Sequence, residues 1–443
     1  MSTRDDVLRW DRDHVWHPFT QAEEWEADPP LVIAAAEGVY LIDLDGRRYL
    51  DGVSSLWTNV HGHRHPALDA ALRDQLDRVA HSTLLGLGSV PSATLARRLV
   101  ELVARLPGEG AALERVFYSD SGSTAVEVAL KMAFQAQQQR GQSARTRVAA
   151  LQNAYHGDTL GAVSVGGIEL FHGIYRPLLF PALRLPAPER PDPVVEAACL
   201  REAERIFAAE GHTLAALVVE PLVQGAAGML RHSPAFLDAL MGLARSAGVL
   251  IIADEVATGF GRTGTIFALE QCHHRPDLLC LAKGITGGYL PLAVTMTTAS
   301  VYEAFRGPYA ALRTFFHGHT YTANPLACAA ALANLELFAD GSLLASLPEK
   351  IQALERALAA LPSAWVSERR QTGLMAGALL RDPPRPRFAH EVCLRARRHG
   401  VIVRPLGDLI VFMPPLAMRP DQIAETVQAV GSALAEAWAS GPP

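Results

Sequence analysis

The middle of the chain alternates short apolar runs with longer segments of helical periodicity. Glu114–Asp120 predicts a strand, and Ser123–Gln139 a helix carrying Val126, Leu130, Ala133 and Phe134 on one face. Arg147–Leu151, Leu214–Val219, Val249–Ala253 and Leu278–Ala282 are further short apolar runs. Several are unbroken rather than alternating, as in strands covered on both faces. Strand–helix alternation of this kind predicts an α/β fold with a mostly parallel sheet flanked by helices. The proline-rich stretch Pro181–Pro193 reads as a surface loop, and a second proline cluster, Pro383–Pro386, interrupts the C-terminal part. From Pro325 an Ala/Leu-rich helical stretch runs through Phe338. Beyond it the pattern is α+β, with strands near Thr372–Leu380 and Val401–Arg404 and helices near Ala389–His399 and Asp421–Ala439. No internal repeat is evident. The expected organisation is a large domain over 70–325 and a smaller α+β domain over 326–443. Residues 1–69 form an N-terminal segment that joins the smaller domain and reaches the substrate pocket.

Composition narrows the class. With 443 residues, 49% hydrophobic and 19% charged, the chain can bury a large core. No run of about 18 apolar residues suggests a membrane span, and a net charge of -6 gives no reason to bind nucleic acid. The start, Met1 to His14, is too polar and acidic for a targeting peptide. Cys199, Cys272, Cys280, Cys328 and Cys393 are scattered and odd in number, the usage of a reducing, cytoplasmic compartment. Of the 40 Lys and Arg residues only Lys131, Lys283 and Lys350 are lysines. A lysine kept at a special place can do what arginine cannot, such as form an imine.

Ligands in parallel sheets sit at the carboxyl ends of the strands, and three such ends carry candidate chemistry. Ser119 through Glu127 (SDSGSTAVE) follows a strand and opens a helix. Thr124 and Glu127 have capping-box spacing, and the free N–H groups of a first turn beside Gly122 suit an anion. An ordinary capped strand–turn–helix connection would look the same. Asp254 ends the apolar run Ile251–Ala253, so its carboxylate needs a cation or a hydrogen-bond donor; a protonated ring nitrogen would serve, and so would a helix cap. Lys283 closes Leu278–Ala282 and is followed by Gly284, Gly287 and Gly288, which leave room around it. Burial there would lower its pKa, as an imine-forming amine requires.

A phosphate cradle, a carboxylate for a ring nitrogen and an amine for an aldehyde together complement one ligand, pyridoxal 5'-phosphate. The histidines offer a competing idea. His61, His63 and His65, His273 with His274, and His317 with His319 have metal-ligand spacings. No nearby carboxylate set completes a coordination sphere, so no metal site is expected.

The stretch from Ile251 through Gly264 to Lys283 resembles the signature of the class III, fold-type I pyridoxal-phosphate aminotransferases. Trp16–Thr20 (WHPFT), Ser54–Trp57, Asn153–Asp158 (NAYHGD), Glu220–Gly225, His317–Thr320, Asn324–Cys328 and Arg404–Gly407 resemble the branch of that class which serves biotin biosynthesis. The similarity runs from Trp16 to Met413–Pro415. It implies transamination of 8-amino-7-oxononanoate to 7,8-diaminononanoate, with S-adenosylmethionine as amino donor, by a homodimer with shared active sites. By resemblance, Lys283 would hold the cofactor covalently and act as base and acid. Asp254 would pair with the ring nitrogen, and Tyr155 would lie on the ring face. Gly122 and Ser123 would bind the phosphate together with His319 and Thr320, the last reaching the other subunit's site. Arg404 would bind the substrate carboxylate, for which its planar fork is suited. Phe19 and Trp57 would wall the pocket, Asp158 and Gly318 would lie near it, and Glu220 would organise the cofactor's surroundings.

Two positions depart from the branch. It commonly has Tyr where this chain has Phe19, and often paired tryptophans where this chain has Leu56 and Trp57. Members with similar replacements include enzymes that take the amino group from lysine. Three competing functions also fit parts of the pattern: a class III transaminase for ornithine, 4-aminobutyrate or another ω-amino acid, a histidine-metal hydrolase, and a non-catalytic protein that keeps the fold.

Overall fold

The computed structural model describes residues 3–27 and 31–440. Its centre is a seven-stranded sheet. The strand order is Leu113–Ser119, Ala293–Thr298, Leu278–Leu281, Leu250–Asp254, Leu214–Val219, Arg147–Leu151 and Leu183–Leu185. Ala293–Thr298 is antiparallel to both its neighbours, and the other pairs are parallel. All six residues of Leu214–Val219 and all five of Leu250–Asp254 are buried. That is the physical content of an unbroken apolar run, because both faces of a central strand leave water. Each Leu, Val or Ile so covered contributes roughly 1.5–3 kcal/mol of transfer free energy.

The helix expected after the first strand spans Gly122–Gln139 and buries Val126, Ala129, Leu130 and Ala133. Its N-cap is Ser121, whose capping box is closed by Thr124. The expected Thr124–Glu127 box does not form. Glu127 instead accepts the backbone N–H groups of Gly161 and Ala162, at 2.7 and 3.2 Å, and so ties this helix to the Leu160–Val165 helix. The proline-rich Pro181–Pro193 stretch is not all loop: Leu183–Leu185 forms the edge strand. An edge strand can be flanked by prolines because its outer N–H groups need no partner.

Three smaller sheets complete the fold. Ile33–Glu37, Tyr40–Asp43 and Arg48–Asp51 form an antiparallel meander, joined in parallel by Val401–Ile402. Val366–Thr372, Met375–Leu380, Leu409–Phe412 and Arg404–Leu406 form a second antiparallel sheet, and Val223–Gln224 pairs with Leu230–Arg231. The single strand expected over Thr372–Leu380 is therefore the end of one strand, a turn at Gly373 (φ 60°) and the whole of the next. The run Val401–Arg404 is likewise divided, one part pairing with each small sheet. The C-terminal helices lie close to expectation, at Pro325–Ala339, Phe388–Ala396 and Pro420–Ala439. No single helix among the described residues is long and apolar enough to cross a membrane.

Candidate active site

Three strands of the large sheet end in functional groups at one edge. Asp254 is the last residue of its strand, Lys283 follows the adjacent strand, and Glu220 follows the strand on the other side. They line a cavity of about 710 Å³ together with Ser121–Ser123, Tyr155–Thr159, Trp57 and Val256. Of the residues singled out from sequence, Lys283, Asp254, Tyr155, Gly122, Ser123, Glu220, Trp57 and Asp158 all line it.

Lys283 opens onto the cavity, but enough protein surrounds its side chain for desolvation to lower its pKa, against the opposing pull of Asp254 and Glu220. Its amine has no hydrogen-bond or ion-pair partner among the described residues. The Trp57 ring faces it, with its centroid 5.1 Å from Nζ. A lysine in this state is an available nucleophile and base.

Asp254 is 5% exposed. Its Oδ1 accepts the Val256 N–H at 3.0 Å, and its Oδ2 lies 2.7 Å from His156 Nδ1. A buried carboxylate held by two such partners stays in place for a cation beyond them. His156 is a further residue of the site, beyond those the sequence singles out. Its signal lay inside Asn153–Asp158, one position after Tyr155 in a loop at a strand end. Its Nε2 is buried without a hydrogen-bond partner, so the imidazole serves Asp254 alone.

Glu220 accepts the N–H groups of Tyr155 and Gly225, at 3.0 and 3.2 Å. Burial first, and the nearby Asp254 charge second, raise its pKa to about 7, against the pull of His156 and those hydrogen bonds. The folded state therefore binds this proton more tightly than the unfolded chain does. Its stability contribution is complete below the ordinary glutamate value and is lost as pH rises through about 7. Glu220→Gln should consequently lose less stability than the parent between about pH 4.5 and 7. The expected difference is on the order of 2 kcal/mol. Denaturant melts of cofactor-free protein at both ends of that range measure it, and identical pH slopes would refute it.

The loop after Arg147–Leu151 is pressed against the first turn of the Gly122–Gln139 helix. A Cβ at Gly157 (φ +118°) would lie 2.3 Å from Ser123 Oγ and 2.7 Å from its Cα. One at Gly122 would lie 2.5 Å from Val256 Cγ1. Both glycines thus let neighbouring segments close onto the first turn of the Gly122–Gln139 helix, where free N–H groups favour an anion. Ser123 Oγ accepts the Thr159 N–H at 3.0 Å. This cradle, the Asp254 carboxylate and the Lys283 amine fit the phosphate, ring nitrogen and aldehyde of pyridoxal phosphate in turn.

Five expected residues lie outside the cavity lining. Phe19 is 62% exposed and meets Phe171 edge-on at 5.5 Å; Phe171 in turn meets Tyr155. Gly318 and Thr320 are exposed. His319 Nδ1 pairs with Asp120, a cavity residue, at 3.2 Å. Arg404 is exposed on its strand, with no ion-pair partner among the described residues. Two of the histidines with metal-ligand spacing are otherwise engaged: His61 with Asn334 and His63 with Asp51, at 2.9 and 3.1 Å. No metal-holding group of His, Cys, Asp and Glu occurs among the described residues.

Comparison with known proteins agrees with this geometry. An adenosylmethionine-8-amino-7-oxononanoate aminotransferase of Nitratidesulfovibrio vulgaris is 56% identical, over 96% of this chain and 80% of its own. One of Geobacter sulfurreducens is 50% identical over 94% of each chain. The crystal structure of the Methanocaldococcus jannaschii protein of that name superimposes with a TM-score of 0.92 at 38% identity, covering 98% of this chain and 99% of the other. A pyridoxal-phosphate-bound amine transaminase from an uncultivated Pseudomonas species superimposes with a TM-score of 0.87 at 36% identity, over 96% and 99%. The class-III aminotransferase family model matches residues 21–434. The chain belongs to the class-III aminotransferases, which work with pyridoxal phosphate.

Proposed function

We propose that this enzyme converts 8-amino-7-oxononanoate to 7,8-diaminononanoate in biotin biosynthesis, with S-adenosylmethionine as amino donor. The observation that carries the reading is near full-length similarity to relatives bearing that name, at up to 56% identity. Pyridoxal phosphate, when bound, supplies an aldehyde for the amino group and a ring that stabilises the negative charge left at the donor carbon.

The chain's own residues do the rest. Lys283 binds the cofactor through Nζ; when free, that nitrogen takes the proton from the amino-bearing carbon and later returns one. Asp254 holds a proton on the ring nitrogen, and His156 holds Asp254. The first turn at Gly122 and Ser123 binds the phosphate, with His319 nearby through Asp120. Tyr155 covers the ring face. Trp57 and Phe19 wall the substrate side, near Asp158 and Gly318, and Glu220 braces the Tyr155 and Gly225 backbone. Arg404 takes the substrate carboxylate. The large domain is taken as 70–325, and the small one as 326–443 with 1–69 joined to it. The parallel pairing of Arg48–Asp51 with Val401–Ile402 supports that division.

The working unit is a homodimer in which Thr320 completes the neighbour's phosphate site. Exposed apolar side chains at Tyr309, Leu312, Phe316 and Tyr321, flanking Thr320 in sequence, support an interface there. All five cysteines are free, which supports a cytoplasmic location.

The donor is tested by a half-reaction on cofactor-loaded protein without the oxononanoate. S-adenosylmethionine is expected to convert the enzyme to its pyridoxamine form, seen as loss of the visible absorption band, and the oxononanoate to restore it. Conversion by lysine alone would make Phe19 and Leu56 marks of a changed donor pocket. Conversion by neither, or failure of the oxononanoate to restore the band, would reopen the substrate assignment.

A further inference from the structure

The short segment bearing Trp57 has an unusual backbone. Ser54, Ser55, Leu56 and Trp57 have φ of 52°, 47°, 73° and 72°, a complete left-handed turn without a glycine. L-residues visit this region singly and at a cost that grows with each residue, so four in succession persist only where the surroundings over-determine them.

The surroundings centre on Asp51, whose side chain is wholly buried. Its Oδ1 accepts the Ser55 N–H at 2.8 Å, and its Oδ2 accepts the Ser55 hydroxyl at 2.7 Å. His63 Nε2 lies 3.1 Å from the same Oδ2. The tautomer of His63 follows from Asn59. Asn59 Oδ1 accepts the Gly62 N–H at 2.8 Å, which turns its Nδ2 toward His63 Nδ1 at 3.3 Å. His63 Nδ1 is then the acceptor, and a neutral ring donates from Nε2 to Asp51. On the other side the Ser54 hydroxyl donates to the Met413 carbonyl at 2.6 Å. The turn delivers the Trp57 ring into the slot between Lys283 and the Gly225 loop. A Cβ at Gly225 would lie 3.2 Å from Trp57 Cζ3, so the ring already rests on bare backbone there.

We propose that Asp51 is a positioning residue for the aminotransferase reaction: with Ser55 and His63 it clamps the left-handed turn and so holds the Trp57 ring against the Lys283 amine. None of the three lines the cavity; they act on the site through Trp57. The H-x-H pattern at His61 and His63 gains a purpose here, because His63 orients a carboxylate instead of a metal. The inference rests on membership of the family and is independent of the donor.

The test uses cofactor-loaded protein. Asp51→Asn, Ser55→Ala and Trp57→Leu are made singly, and the first two again in the Trp57→Leu background. Two quantities are read: the pH midpoint of the visible absorption band, which follows protonation at the Lys283 nitrogen and needs no substrate, and the melting temperature. An aromatic face favours a nearby cation, so Trp57→Leu should lower the midpoint by about half a pH unit or more. Asp51→Asn should lower it comparably and Ser55→Ala less, and neither should lower it further once Trp57 is Leu. A shift that keeps its full size in that background would be the direct effect of a lost charge or hydroxyl, and would overturn the proposal. If Asp51→Asn fails to fold, Ser55→Ala makes the same comparison. Ser55→Gly separates position from stability, because glycine takes a positive φ without strain. It should melt higher than Ser55→Ala yet shift the midpoint at least as far. A midpoint that merely tracks melting temperature across the series overturns the proposal.

Discussion

Lys283→Ala is expected to abolish turnover, with a fall of more than about 10⁴-fold, since acid–base catalysis alone contributes roughly 10²–10⁴ and covalent attachment is lost with it. The loss should be one of chemistry and not of folding. The amine is desolvated, and removing a desolvated amine that has no hydrogen-bond or ion-pair partner among the described residues costs the fold little. The melting temperature of the cofactor-free variant should therefore match or exceed that of the parent. Lys283→Arg should be equally inactive, because a guanidinium stays charged at any working pH and cannot serve as a base. Steady-state transamination by purified variant, measured against a mock preparation, decides the matter. Turnover above that background would remove Lys283 from the centre of the mechanism.

Asp254→Asn should reduce kcat by about 10²–10³-fold, the range seen when one preorganised electrostatic partner of the reacting charge is lost. The substitution is close to isosteric. An amide oxygen can still accept the Val256 N–H, and the amide NH2 can donate to His156 Nδ1 once that ring carries its proton on Nε2. The cavity should keep its shape while losing the negative charge proposed to hold a proton on the ring nitrogen. KM values should change far less than kcat, because the substrates do not need this carboxylate in order to bind. A kcat within about five-fold of the parent would assign the ring-nitrogen role elsewhere and leave Asp254 a structural acid.

Much of this arrangement was legible from sequence, for reasons that differ between elements. Leu214–Val219 and Leu250–Asp254 could be read because a strand buried on both faces must be apolar throughout, and the residue that breaks such a run marks the sheet's working edge. Asp254 and Lys283 were found that way. The edge strand Leu183–Leu185 was hidden, since its flanking prolines carry the signature of a loop and its three residues are too few to show a period. Val401–Arg404 read as one strand because periodicity says nothing about which neighbour a strand chooses, and this segment changes sheets in the middle. His156 has no pattern of its own; its role depends on a loop and a strand meeting 98 positions apart. The Ser54–Trp57 turn was the least legible of all. No glycine announces a left-handed backbone there, and what compels it is a buried carboxylate and a carbonyl supplied from distant parts of the chain.

The bond from Ser54 to Met413 spans 359 positions, and this has a bearing on how the enzyme is made. The last strand of the large sheet ends at Thr298, so the ribosome has released every sheet strand, with Lys283 and Asp254 at their tips, long before Val401–Met413 emerges. Domains fold as units during synthesis, and contacts this distant in sequence form late. A nascent chain can therefore hold a folded cofactor floor while the segment carrying Trp57 still lacks both of its C-terminal anchors, the Val401–Ile402 strand and the Met413 carbonyl. The sheet edge that carries Lys283 and Asp254 can thus form before the wall that carries Trp57, which waits on the emergence of Val401–Met413.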